Sequence, residues 1–145
     1  MNDTQEDINK IYQEIIDLLW SIFPEDGIEA HYNSQIFENS NEKIFYWLDK
    51  NGDKAWYEFE KSPSKVLTKI MNQLKLLQQH KLFEKEKWTH CKVTVTDEYK
   101  LNIKFTYIAQ KNSWPGLYMK DISDLSLEEA QKYYIPKEEW EKFQV

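Results

Sequence analysis

Apolar residues along the chain change their spacing several times, and each change marks an element. Ile8, Ile11, Tyr12, Ile15, Leu18, Leu19 and Ile22 recur at three- and four-residue steps, with Lys10, Gln13, Glu14 and Asp17 mostly off the stripe. That period places one apolar face on a helix. Asp3 or Thr4 can cap it, Glu6 and Asp7 suit its positive end, and Pro24 and Gly27 stop it. The period then falls to two. Ile28, Ala30, Tyr32 and Ile36 stay in phase over residues 28–37, a polar turn leads into Lys43–Leu48, and the Asp49–Asp53 loop leads into Lys54–Phe59. Asn51-Gly52 predicts a two-residue type I′ turn. That turn pairs Trp47 with Trp56 and Phe45 with Glu58 on one face. On the other it pairs Leu48 with Ala55, Tyr46 with Tyr57 and Ile44 with Phe59.

Ser62 as N-cap and Pro63 at the first helical position open a second helix. Its stripe is Val66, Leu67, Ile70, Met71, Leu74 and Leu77, fading near Gln79–His80. The plainest hairpin follows in Lys87–Tyr107. Thr89, Cys91, Val93 and Val95 face Tyr107, Phe105, Ile103 and Leu101, while Trp88, His90, Lys92 and Thr94 point outward. A one-residue slip would set Val93 against Lys104, so the buried face holds the register. Ala109–Gly116 reads as a loop, Ser126-Leu127-Glu128-Glu129 starts a short helix to about Tyr134, and Pro136 opens a last helical turn through Trp140 and Phe143. The order α-βββ-α-ββ-α predicts one α+β domain over residues 1–145. Its sheet is five-stranded and mostly antiparallel, with helices packed mainly on one face and residues 109–145 packing on it as a loop and short helices. Phe45, Trp47 and Trp56 would then need cover from the C-terminal segment or from a partner.

Composition narrows the class. The chain is 41% hydrophobic and 15% aromatic, with three glycines and four prolines, which excludes a disordered chain. No apolar run approaches the roughly 18 residues that cross a bilayer. The acidic start MNDTQEDINK is unlike a signal peptide. One cysteine forbids an internal disulfide, and Cys91 falls on an apolar strand face, buried and inert. A cytoplasmic protein is expected.

Charge changes the picture more. Net charge is −6, unevenly spread. Residues 1–60 hold 14 acids against 4 lysines, residues 61–120 hold 12 lysines against 4 acids, and residues 121–145 hold 7 acids against 3 lysines. Every cation is a lysine, and the absence of arginine weighs against phosphate and guanine recognition. The lysine-rich middle leaves a nucleic-acid-binding regulator as the alternative. A solvated helix face explains those lysines equally well, and the acidic N-terminal part would repel phosphate.

Candidate chemistry is sparse. His31, His80, His90 and Cys91 lack metal-ligand spacing. Asp49, Asn51 and Asp53 with Glu60 imitate a calcium loop, but Gly52 stands at its fourth position rather than its sixth, between strand-like flanks. Pairs such as Glu25/Asp26 and Glu138/Glu139 sit in turns and helix starts, where carboxylates cap and solvate; a small hydrolase would need them to converge in a cleft. No catalytic residue, metal or cofactor is expected, and no membrane partner. The acids in the connector, strands and loops of one half-sheet could instead steer a basic protein into contact. The candidate contact residues are Glu38, Glu42, Asp49, Asp53 and Glu58, with Trp47 and Trp56 as desolvated anchors.

Several short stretches resemble a known family. Ile11-Tyr12-Gln13-Glu14-Ile15, the closing Phe23-Pro24, Lys87-Trp88-Thr89 and the strand Lys100-Leu101-Asn102-Ile103-Lys104-Phe105-Thr106-Tyr107 resemble the YezG-like bacterial antitoxin/immunity proteins over residues 8–108. The resemblance implies a non-enzymatic protein that binds and neutralises a cognate secreted toxin by stoichiometric contact. In polymorphic and contact-dependent inhibition systems such toxins are often nucleases, and an acidic immunity protein suits a basic nuclease.

Overall fold

The computed structural model describes residues 3–107, 126–132 and 137–142. The first apolar stripe forms α1 (Asp3–Ser21). Three strands follow, β1 (Gly27–Ile36), β2 (Asn41–Asp49) and β3 (Lys54–Ala55), then α2 (Ser64–Gln78), β4 (His90–Thr96) and β5 (Leu101–Thr106). Short helices α3 (Leu127–Lys132) and α4 (Lys137–Lys142) come last. The expected loop at Ala109–Gly116, and the ends expected at Tyr134, Pro136 and Phe143, lie outside the described residues. The α+β class and element order are as the periodicity predicts. α2 starts one residue later than expected, with Pro63 in the N-cap position and no side-chain cap bond.

All pairings are antiparallel, in the order β3-β2-β1-β4-β5. Register puts Ala30 and Tyr32 of central β1 beside Trp47 and Phe45 of β2, and beside Val95 and Val93 of β4. Those residues face α1 and α2, joining Ile15, Leu19, Leu67, Ile70, Leu74 and Leu77 in the core. The Tyr32 hydroxyl donates to Leu67 O at 3.0 Å, which ties the middle of the sheet to α2. At the other end Gln78 Nε2 donates to Ile36 O and Trp88 O at 3.0 and 2.9 Å.

The β4–β5 register holds as predicted: Val95 with Leu101, Val93 with Ile103 and Cys91 with Phe105. One outward assignment fails, and another residue points outward without being exposed. Trp88 precedes the strand and packs inward against Phe83 and Phe105. His90 does point away from the helices, but it is fully buried.

The β2–β3 register is also corrected. Trp47 pairs with Ala55 and Leu48 with Lys54, one residue away from the expected set. The turn is not type I′. Gly52 N–H donates to Asp49 O and Asp49 N–H to Asp53 O, a type I turn closed by a left-handed residue, here Gly52 at φ 82°. The Asp49 carboxylate decides the choice by accepting from Asn51 N–H and Asp53 N–H, at 2.8 and 3.0 Å. One residue of slip reverses every side chain of the second strand. The ladder stops at Ala55, and Phe59–Lys61 is a 3₁₀ turn rather than the end of a strand.

Candidate partner-binding surface

The register correction separates the two proposed tryptophan anchors. Trp47 lies on the helix side, 8% exposed, edge-on to Tyr57 at 4.9 Å. It fills the core and leaves little of its surface for a partner. Tyr57 supplies the cover that Phe45 and Trp47 needed: it stacks near Phe45, and its hydroxyl donates to Ile22 O at 2.7 Å. Burial, then the Asp26 carboxylate, raises the Tyr57 pKa. Trp56 lies on the opposite side beside Tyr46, 54% exposed, and Phe59 is 96% exposed.

On the side of the sheet away from the helices, Tyr46 is a buried hub. His31 stacks on it at 4.9 Å and 13°, and Lys54 Nζ lies 4.7 Å above its ring. His31 in turn has Glu29 Oε2 at 3.0 Å from Nε2 and Thr94 Oγ1 at 3.2 Å from Nδ1. The sequence left this cluster unread. The β1–β2 register sets His31 beside Tyr46, and the corrected phase of β3 brings Lys54 to the same face.

The candidate acids divide between the two ends of the sheet. Glu38 and Glu42 sit at the β1–β2 turn, where Gln35 Nε2 donates to Glu42 Oε2 at 3.1 Å. Asp49 and Asp53 sit at the opposite end of β2, seven residues on, roughly 23 Å away at strand rise. Glu58 follows Trp56 and is exposed, 3.8 Å from Lys61.

The Asp49 end is the more acidic. The fold brings Glu25 and Asp26 of the α1–β1 connector there, with Glu29 of β1 and with Asp97 and Glu98 of the β4–β5 turn. Lys50, Lys54 and Lys100 oppose them. Asp97 and Glu98 belong to the lysine-rich stretch of sequence, so linear charge counting missed their contribution. The β4–β5 turn has the same geometry as the β2–β3 turn, with Tyr99 in the left-handed position at φ 63°. A non-glycine residue there needs compensation. The Tyr99 hydroxyl donates to Asp17 and accepts from Gln13 Nε2 at 2.9 Å, and its ring meets Trp20 edge-on at 5.3 Å. The Tyr99 hydrogen bond, then that of Gln13, holds the Asp17 carboxyl below its ordinary value. Trp20 and Tyr99, each 40% exposed, therefore stand among these acids.

Other features among the described residues have structural roles. Cys91 is fully buried, and burial pushes its thiol pKa up. The Asp49–Asp53 loop is a hairpin turn whose first carboxylate is occupied by its own amides. A cavity of about 640 Å³ opens at the far end between α2 and the β1 and β4 termini, floored by Phe83 and Trp88. His80 on its rim accepts Leu82 N–H at Nδ1, and its Nε2 lies 3.9 Å from Asp7. The lysines form no single field, because Lys65 and Lys69 of α2 and Lys92 and Lys104 lie on opposite sides of the sheet.

A family model described as "Immunity protein YezG-like" matches residues 8–145, beyond the stretch over which the motifs could be read. The chain belongs to the YezG-like immunity protein family. That membership suggests an immunity or antitoxin role, with a toxin as partner and no catalysis by the chain itself. Comparison with curated proteins returned no match. Among the described residues no helix is long and apolar enough to cross a membrane.

Proposed function

We propose that this protein neutralises a cognate toxin by forming a stoichiometric complex with it in the cytoplasm, and that the toxin is a basic nuclease of a contact-dependent or related delivery system. Family membership supports the class of function. The observation that carries the mode is the meeting of acids from four separate segments at the Asp49 end of the sheet, around exposed Trp20 and Tyr99. A nuclease surface shaped for phosphate is cationic, so carboxylates there compete for the same ground. Opposed fields also raise the encounter rate, which matters for a toxin that must be caught before it acts.

Asp53, Glu25, Asp97 and Glu98 are the steering groups in this reading, with Asp49 bracing the turn. Trp56 and Glu58 flank them along the sheet edge, and Glu38 and Glu42 form a separate distal group. The test uses the cognate toxin domain, sought first in a secreted protein encoded next to this chain. A Glu25→Gln/Asp53→Asn/Glu98→Gln protein should associate about tenfold more slowly at low salt, with a flatter salt dependence. An unchanged rate refutes the steering surface, and failure of the unaltered protein to bind or inhibit that domain refutes the role.

A further inference from the structure

We infer that the outer edge of β2, from Asn41 to Phe45, is a docking site for an extended strand of the protein partner, which would lengthen the sheet where β3 stops short. The inference rests on the toxin-binding reading and specifies how the partner is held.

Hydrogen-bond parity supports it. Asp49 N–H donates outward to Asp53 O, and Phe37 N–H donates to Ser40 O in the β1–β2 turn. Backbone groups alternate along an antiparallel strand. Glu42, Ile44, Tyr46 and Leu48 therefore spend theirs on β1, while Asn41, Lys43, Phe45 and Trp47 point theirs away from it. Only Trp47 and Leu48 pair with β3. Among the described residues no strand pairs with the N–H and C=O groups of Lys43 and Phe45 on that side, and another backbone at strand spacing matches such a row.

The space beside this edge holds a cavity of mixed polar and apolar lining. It measures about 280 Å³ and separates Lys43, Ile44 and Phe45 from Trp56, Tyr57, Ser62 and Leu67. Trp56 and Phe59, the most exposed aromatic residues of this region, stand where the chain leaves the sheet. An entering strand therefore has to displace the Tyr57 ring from Phe45 with an apolar side chain of its own and, two residues away on the same face, set a carboxylate opposite Lys43.

A second copy of this chain fits less well. Two-fold pairing centred on Glu42 sets Glu42 against Glu42, and pairing centred on Lys43 sets Lys43 against Lys43. Pairing centred on Ile44 drives Glu42 of each copy toward Tyr46, where Trp56 already packs. Like charges directly opposite oppose association.

Hydrogen exchange on the full chain, free and mixed with its cognate toxin domain once that is identified, tests the inference. The Lys43 and Phe45 amides should exchange at least about tenfold more slowly in the complex. Lys43→Pro, which removes an outward donor without touching the β1 ladder, should weaken binding at least about tenfold while Lys43→Ala does not. A complex that forms with both amides unprotected and with Lys43→Pro binding as the unaltered protein overturns the edge inference and leaves the immunity role intact. Protection of both amides in a concentrated toxin-free sample that sediments as a dimer overturns it in favour of self-pairing. Absence of any complex overturns both readings.

Discussion

Acidification should destabilise this protein through one histidine. His90 has no exposed surface, with Nδ1 2.7 Å from Thr89 Oγ1 and the ring edge-on to Phe37 at 5.7 Å. Burial lowers its pKa from 6.5 to about 4. The unfolded chain takes up a proton below about pH 6.5, whereas the folded chain resists until about pH 4. Stability contributed by the neutral ring is therefore complete above pH 6.5 and is lost as pH falls toward 4. At about 1.4 kcal/mol per pH unit, the loss is about 2 kcal/mol by pH 5 and about 3 kcal/mol by pH 4. Urea unfolding followed by tryptophan fluorescence, near pH 7.5 and near pH 5, measures it. His90→Gln should be less stable than the unaltered protein at the higher pH, and the gap should narrow by about 2 kcal/mol at the lower. Carboxylates titrate alike in both proteins, so the difference isolates the histidine. Parallel decline of the two proteins would show that the ring is free to take its proton in the folded state.

Two contrasts test the corrected geometry. Trp47→Ala should cost about 3–5 kcal/mol in chemical denaturation and Trp56→Ala less than about 1 kcal/mol, since only the first empties the core; comparable losses would contradict the observed register. Tyr99→Phe keeps the ring on Trp20 but removes the hydroxyl that Asp17 accepts, so the Asp17 carboxyl should titrate closer to its ordinary value by NMR. An unmoved Asp17 would assign its low value to another source.

Legibility varied with how strongly one face of each element is buried. In the Val93–Ile103 hairpin every alternate residue is apolar, so a slip is penalised at each position and the register could be read directly. The β2–β3 hairpin has aromatic residues on both faces, so the pattern could not penalise a slip. The Asp49 carboxylate decided instead, through two amide bonds that alternation does not encode. Trp47 and Trp56 were accordingly misplaced, while Cys91 and Tyr32 were placed correctly. His90 shows a different gap: a polar residue on an outward phase reads as exposed, yet it is buried.

By itself the sequence determined the α+β class, the order and approximate extent of the elements, and a family kinship carried by short stretches. All of these follow from local spacing, because helix and strand periods repeat within a few residues. Tertiary structure alone decided which acids share a surface. Glu38 and Glu42 are close to Asp49 in sequence but lie at the far end of an extended strand, while Asp97 and Glu98, nearly fifty residues on, close the same end as Asp53. Antiparallel pairing causes this, since each hairpin returns the chain to the end it left and brings distant turns together. It also decided that, among the described residues, β2 is paired on its outer side only at Trp47 and Leu48, because β3 stops at Ala55, and no run of residues announces where a ladder ends.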